Sequence, residues 1–271
     1  MSARLRSRQP LVALALAFAF ACAIATLVAI PVTASALDLA PVPTILKPKP
    51  SALVTSTVKM TGRVGPLVTD LRVTGGTLTT FTILPADSEG ATFTAEVSVR
   101  YGRTTIGLEA WDGSSWSEAA TRTVWDLGTI PRDKRLVLVD KSDYMLYIVR
   151  FHSVIAAYPI AIGMRGTPTP TGTRYLARPS TSPNAVWGPF RMRLYKKVWV
   201  RVSYIVRVGG RNVRRWHRVL RKVATSYYIH GTNDPDSIGT PASHGCIRMW
   251  NKNLRVFKGL TYRYQLTIIR A

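Results

Sequence analysis

The sequence predicts a mainly β protein with two folded segments, and three observations support this prediction. Residues 51–129 alternate short β-prone runs with turn residues and show no sustained helical period. Residues 130–271 continue with alternating apolar and polar runs, and add one short helical pattern near their end. The charge changes abruptly near residue 130, which indicates a boundary between the two segments.

The composition is that of a folded and strongly basic protein. The 271 residues are 46% hydrophobic and include 7 Trp, which is enough apolar material to bury a core and excludes intrinsic disorder. The chain has 37 Lys and Arg against 14 acidic residues, a formal net charge of +23. Residues 131–271 alone carry +21 and contain no Glu. This charge predicts an anionic partner, and no Walker or dinucleotide-binding glycine motif accompanies it.

Residues 1–36 have the pattern of an export signal. Three arginines precede an uncharged apolar run from Leu11 to Ile30, and Ala34-Ser35-Ala36 suits a signal peptidase. The run is also long enough to cross a membrane, so an N-terminal membrane anchor is the alternative to a cleaved signal peptide. Cys22 fits this run as a small apolar residue. Both alternatives predict an exported protein of the cell envelope or cell wall, secreted or membrane-anchored.

Residues 37–50 predict an extended linker. They contain four prolines, which are incompatible with a helix or a central strand. Such a segment is a semi-rigid spacer between the N-terminal segment and the folded part of the chain.

Residues 51–129 predict a small β-sandwich, with Gly75-Gly76 and Asp112-Gly113 as turn signals. The predicted strands are Thr57–Val64, Val68–Val73, Leu78–Leu84, Thr92–Val99, Thr104–Ala110 and Ala119–Trp125. The stretch from Tyr101 to Val124 resembles the immunoglobulin-like repeats of bacterial envelope proteins. This resemblance implies a spacer or docking module without chemistry.

Residues 130–271 predict a β-rich domain with one short helix. The predicted elements are strands Arg135–Asp140, Tyr144–Arg150 and Val154–Ile162, a rigid loop Pro168–Gly172, a helix from Asn251 to Lys258 and a closing strand Tyr262–Arg270. Asn251 is expected to cap the helix, and Leu254 and Phe257 to share its inner face.

The stretch from Arg191 to Lys222 holds twelve Lys and Arg and no acidic residue. Lys197–Val208 and Val213–Val219 predict a β-hairpin around a Gly209-Gly210 turn. Two interpretations remain open. The hairpin is either a cationic flap that contacts an acidic wall polymer or stem carboxylates, or a solvated edge that its charges protect from pairing.

Cys246 is the candidate nucleophile, because a thiolate attacks carbonyl groups well and two histidines lie close in sequence. His244 is two residues away and its reach is constrained, whereas the loop after His230 can fold that residue back onto the sulfur. A zinc site made by these three residues with Asp234 or Asp236 is an alternative. A Cys–His pair itself needs no metal and no organic cofactor.

These residues resemble the signature of the YkuD-type L,D-transpeptidase catalytic domain. The matching residues are His230-Gly231 and Ser243-His244-Gly245-Cys246-Ile247-Arg248, together with Gly163 and Thr169-Pro170-Thr171-Gly172. The resemblance spans nearly all of residues 134–270. It implies an enzyme of peptidoglycan synthesis, and hence of cell wall biogenesis and cell shape, that forms a Cys thioester on a tetrapeptide stem, releases D-Ala and makes a 3→3 cross-link.

The resemblance also implies roles for individual residues. Cys246 is the nucleophile, and His230 is the general base and acid that the Gly231 carbonyl orients. His244 and Gly245 shape the nucleophile loop, and the amides of Gly245 and Cys246 stabilise the oxyanion.

Two further residues of the motif have substrate-side roles by the same resemblance. Ser243 is assigned to substrate binding, and Arg248 either binds a substrate carboxylate or braces the loop. Acylation of the nucleophile by carbapenems is implied as well.

Three functions are therefore expected from the sequence, of which the L,D-transpeptidase comes first. An L,D-carboxypeptidase or endopeptidase, with water as acceptor, is the second. A non-catalytic cationic wall-binding module is the third. The expected partners are peptidoglycan stem peptides and anionic wall polymers. Nucleic acid is excluded because an exported chain rarely meets it, although basic residues alternate with aromatic ones.

Overall fold

The computed structural model describes residues 40–87, 90–131, 134–181 and 184–271. The predicted export segment, residues 1–36, and the first residues of the predicted linker lie outside these ranges. Within the four described ranges, no helix combines the length and the apolar character needed to cross a membrane.

The protein is mainly β, as predicted, and all six strands expected between residues 51 and 129 form with small shifts at their ends. Two short strands that the sequence pattern did not indicate precede them. The strands are β1 (Thr44–Lys47), β2 (Ala52–Val54), β3 (Thr57–Val64), β4 (Asp70–Thr74), β5 (Thr77–Asp87), β6 (Gly90–Ser98), β7 (Gly102–Trp111) and β8 (Ala120–Asp126).

Strand β1 corrects the prediction of a free linker over residues 37–50. It pairs with β3 at the edge of a four-stranded sheet with the order β1-β3-β6-β5. Ile45 of this strand is buried in the core of the N-terminal segment. Neighbouring prolines are compatible with this position because an edge strand leaves one row of N–H groups without a ladder partner.

The remainder of the chain adds ten strands and one helix among its described residues. They are β9 (Arg135–Asp140), β10 (Met145–Arg150), β11 (Ser153–Pro159), β12 (Ile162–Gly163), β13 (Gly172–Thr181), β14 (Phe190–Val208), β15 (Arg211–His230), β16 (Pro241–Ser243), β17 (Ile247–Arg248), α1 (Asn251–Leu260) and β18 (Leu266–Arg270). The predicted hairpin turn at Gly209-Gly210 is confirmed, but its two strands are much longer than predicted.

Twelve of the eighteen described strands, from both parts of the chain, form one sheet with the order β17-β15-β14-β13-β18-β9-β10-β11-β2-β8-β7-β4. Strand β18 lies at its centre, antiparallel to β13 and parallel to β9. Strand β2 connects the strands on either side of residue 130, because it pairs with both β8 and β11.

Helix α1 packs Leu254 and Phe257 into the core beneath the site, as predicted. The expected cap at Asn251 is wrong, since Asn251 is the first helical residue and no side chain caps the helix. Its side-chain oxygen instead accepts a hydrogen bond of 3.1 Å from the backbone N–H of Thr232. The helix thus anchors the loop that follows His230.

Candidate active site

His230 is the last residue of β15 and lies directly opposite Arg191 of β14. Residues that face each other across an antiparallel pair project from the same side of the sheet. The His230 side chain is only 4% exposed, and its ring packs on that of Trp187 at 4.6 Å between centroids. The imidazole is therefore desolvated, with the Trp187 ring packed against it and Arg191 on the neighbouring strand.

The hydrogen bond of His230 determines which ring nitrogen is free. Nδ1 lies 2.5 Å from the carbonyl oxygen of Gly231. A carbonyl oxygen only accepts, so the proton of the neutral ring is on Nδ1 and the lone pair is on Nε2. Gly231 has the position that the predicted orienting role requires.

Cys246 lies next to the strand that carries His230. Residues Ile229 and His230 pair in parallel with Ile247 and Arg248 of β17, and the backbone of Tyr228 hydrogen-bonds to the Cys246 thiol. His244, in contrast, is exposed on the nucleophile loop. Of the two candidate bases, His230 is the buried one, and its strand pairs with the residues that directly follow Cys246.

The nucleophile loop, residues 243–246, is braced from within by Ser243. The Ser243 hydroxyl accepts a hydrogen bond of 3.0 Å from Gly245 N–H and donates one of 2.5 Å to the Cys246 carbonyl. Ser243 is 1% exposed. The Ser243 hydroxyl therefore braces the nucleophile loop, and its assignment to substrate binding stays a prediction.

The same hydrogen bond involves one of the two amides of the predicted oxyanion site. Gly245 N–H is directed at Ser243, and its role toward an oxyanion stays a prediction. Among the described residues, Cys246 N–H has no hydrogen-bond partner. Gly245 itself adopts a φ of 104°, and a Cβ there would lie 2.6 Å from the Tyr227 ring, so the loop requires glycine.

Thr169 supports the loop from outside, a role that the sequence did not indicate. Its hydroxyl donates a hydrogen bond of 3.0 Å to the Gly245 carbonyl and accepts one of 2.8 Å from Gly163 N–H. The Thr-Pro-Thr-Gly pattern was a recognisable signal for this loop. The partner, however, lies 76 residues away, and only the fold brings the two together.

Two arginines act on the site, and they differ in their partners. Arg248 forms an ion pair of 3.6 Å with Asp234, which is the bracing alternative of its predicted role. Arg191 stacks its guanidinium on Trp187 at 5.1 Å and on Tyr228 at 5.0 Å, and its Nε is buried without a hydrogen-bond partner among the described residues. Sequence reasoning counted Arg191 only as one basic residue among twelve.

Burial makes both members of the Cys–His pair neutral. It lowers the pKa of His230 to about 4; the Gly231 hydrogen bond opposes this shift, and the charges of Arg248 and Arg191 add to it. Burial also raises the pKa of the Cys246 thiol, more than the Tyr228 hydrogen bond and the two arginines lower it. At neutral pH the site thus holds a free imidazole base beside a protonated thiol.

The alternative zinc site would need three or more ligands around one point. Within the described part of the chain, no group of three or more His, Cys, Asp or Glu side chains is placed to share a metal ion. Asp234, one of the proposed ligands, is paired with Arg248.

Comparison with known proteins places the site within a family domain. Residues 134–262 match the family model of YkuD, the L,D-transpeptidase catalytic domain. YkuD of Bacillus subtilis, provisionally named an L,D-transpeptidase, is 34% identical over 101 residues, which are 37% of this chain and 44% of the relative. YcfS of Escherichia coli, also provisionally named, is 31% identical over 122 residues, 43% of this chain and 38% of the relative. The chain thus spans less than half the length of these curated relatives.

A solved structure was also found to be similar. It is an L,D-transpeptidase from Mycobacterium smegmatis, 17% identical, with a TM-score of 0.34 over 84% of this chain and 99% of that chain. The family match itself includes both His230 and Cys246.

Proposed function

We propose that this chain is an exported L,D-transpeptidase that forms 3→3 cross-links in peptidoglycan, because residues 134–262 match the family model of the YkuD L,D-transpeptidase catalytic domain. The donor is a tetrapeptide stem that loses its terminal D-Ala. The acceptor is a second stem, which supplies the side-chain amine of its third residue. The observation that carries the proposal is the neutral His230, fixed by Gly231, on the strand beside Cys246.

Acylation begins from the neutral pair. The Cys246 sulfur attacks the carbonyl carbon of the third stem residue while Nε2 of His230 accepts the thiol proton. The tetrahedral oxyanion accepts a hydrogen bond from Cys246 N–H, the amide for which the described part of the chain provides no partner. The carbon–nitrogen bond then breaks, and the proton on His230 passes to the leaving amine of D-Ala.

Deacylation repeats these steps with a new nucleophile. The acceptor amine attacks the thioester carbonyl, and His230 takes a proton from the attacking nitrogen. The carbon–sulfur bond breaks, and the Cys246 thiolate recovers its proton from the imidazolium. The net result is a new amide bond between two stems. Water in place of the amine gives the carboxypeptidase or endopeptidase reaction instead.

The proposal is tested by incubating the purified protein with disaccharide tetrapeptide stems and identifying the products by mass spectrometry. We expect 3→3 dimers and free D-Ala. Tripeptide without dimer would overturn transpeptidation in favour of hydrolysis, and no product from folded protein would favour the non-catalytic wall-binding module.

Two variants make this experiment specific for the site. Cys246→Ala is expected to abolish every product and also the covalent adduct with a carbapenem, while circular dichroism stays that of the parent. His244→Ala, at the exposed histidine of the same loop, tests the other candidate base and is expected to retain measurable cross-linking even if the shape of the loop changes. Equal loss in both variants would argue against His230 as the base.

A further inference from the structure

The outer part of the long hairpin is a two-stranded ribbon with an unusual surface. Residues 197–222, called the ribbon here, hold nine Lys and Arg and no acidic residue. Their pairing continues without interruption from Lys197 opposite Lys222 to Val208 opposite Arg211. Pairing of β13 with β14 ends at Tyr195, so among the described strands none pairs with the ribbon from outside.

The register divides the ribbon into two faces, because opposing residues share a face and neighbours along a strand alternate. One face, called the valine face, presents Val198, Val200, Val202, Val206, Val208, Val213 and Val219 with Arg211, Arg215 and Arg221. The other, called the tryptophan face, presents Trp199, Arg201, Ile205, Arg207, Arg214, Trp216, Arg218 and Leu220.

Rings and cations alternate along the tryptophan face. Trp199 comes first from the base, then the opposed pair Arg201 and Arg218, then Trp216, then Arg214, in steps of about 7 Å along the ribbon. The Arg201 guanidinium lies over the Trp216 ring at 5.1 Å. Trp199 is nevertheless 65% exposed and Trp216 49% exposed.

Protection of an exposed strand edge from pairing does not explain this alternation of rings and cations. Charges alone suffice to prevent edge-to-edge pairing, and they give no reason for two solvent-exposed indole rings. A lipid surface would favour tryptophans gathered at one depth, whereas here a pair of arginines separates them along the length of the ribbon. The repeat instead matches a chain that alternates a negative charge with a flat apolar ring face.

We propose that the tryptophan face binds a linear anionic polysaccharide. Sugar rings stack on Trp199 and Trp216, and the carboxylates or phosphates of the polymer pair with Arg201, Arg214 and Arg218. This binding surface is separate from the Cys246 site and does not depend on the reaction proposed there.

The test measures binding of the full chain to three probes at several salt concentrations. Polygalacturonate carries charge and sugar rings, long-chain inorganic polyphosphate carries charge alone, and phosphatidylglycerol vesicles present an anionic lipid surface. We expect the tightest binding to polygalacturonate. Binding to the vesicles alone would overturn the proposal.

Variants separate ring stacking from charge. The pair Trp199→Ala and Trp216→Ala is expected to weaken polygalacturonate binding about tenfold or more, and to leave polyphosphate binding nearly unchanged. The triple variant Arg201→Gln, Arg214→Gln and Arg218→Gln is expected to weaken both and to reduce their salt dependence. Unchanged binding of polygalacturonate by the tryptophan variant would refute the stacking.

A matched control lies on the other side of the ribbon. The triple variant Arg211→Gln, Arg215→Gln and Arg221→Gln removes the same charge from the valine face, and we expect it to bind polygalacturonate within about threefold of the parent. If this control loses as much affinity as the tryptophan-face triple, then net charge explains the binding and the proposed surface is wrong. Urea unfolding of each variant establishes that the fold is intact.

Discussion

The two ends of strands β14 and β15 are built from the same kinds of residue, yet they have opposite environments. At the base, Met192 and Ile229 are fully buried and Arg191 lies against aromatic rings beside His230. In the ribbon, arginines and tryptophans at equivalent alternating positions face solvent. Neighbouring strands and helix α1 cover only the base. The role of an arginine therefore depends on whether it is buried. A buried guanidinium shifts the pKa of neighbouring groups, whereas a solvent-exposed one is available to bind a partner.

The largest expected contrast is between the two histidines of β15. His230→Gln removes the general base and is expected to reduce cross-linking about 10²- to 10⁴-fold. His217→Gln changes an exposed ring that contacts Tyr204 in the ribbon, and is expected to leave the rate within about twofold. Rates are measured by mass spectrometry of the dimeric product. A comparable loss of cross-linking in both variants would contradict the expected difference between the base of the hairpin and the ribbon.

Packing provides the second contrast. Ile229 is buried between Met192 and Ile247, and Ile229→Ala is expected to reduce the free energy of unfolding by about 2–5 kcal/mol. Leu220→Ala, in the same strand at a position 46% exposed, is expected to cost less than about 0.5 kcal/mol. Urea unfolding followed by tryptophan fluorescence measures both values. A large cost at Leu220 would mean that the ribbon is covered in solution.

The third contrast is the dependence of stability on pH. His230 is neutral in both the folded and unfolded states above its ordinary pKa of 6.5, but between pH 6.5 and about 4 only the unfolded state gains the proton. Stability is therefore lost as the pH falls through this window, by about 3 kcal/mol from this residue. In His230→Gln the loss between pH 7 and 4 is expected to be smaller by that amount. Parallel curves for the parent and this variant would contradict the buried neutral imidazole.

Local sequence was sufficient for the parts of the site that lie within one motif. Cys246 and His230 were predicted from their motif spacing and side-chain chemistry, and the Gly209-Gly210 turn from its dipeptide, since both glycines adopt positive φ values. The length of the hairpin was underestimated because the stretch from Leu220 to Ser226 lacks a clear alternation of apolar and polar residues. Pairing continues there because β14 already provides a matching strand.

Contacts between distant segments were the part that the sequence did not reveal. Arg191 became recognisable as a site residue only when the register placed it opposite His230. Thr169 reaches the nucleophile loop through a fold-dependent hydrogen bond to Gly245. The contacts of Ser243 within the nucleophile loop were not predicted, because its motif gives no information on the direction of its hydroxyl.

Strand β18 has a consequence for the order in which the protein is assembled. It lies between β13 and β9, so within the large sheet as described it joins the strands that carry the site to β9, β10 and β11. Its residues follow all of their neighbours in the chain, and Ile268 pairs with Leu138 across more than a hundred positions. During synthesis, the strands on either side of β18 remain separate sheets with open edges until this strand emerges. Completion of the sheet is therefore timed by β18, which follows Cys246 and His230 in the chain.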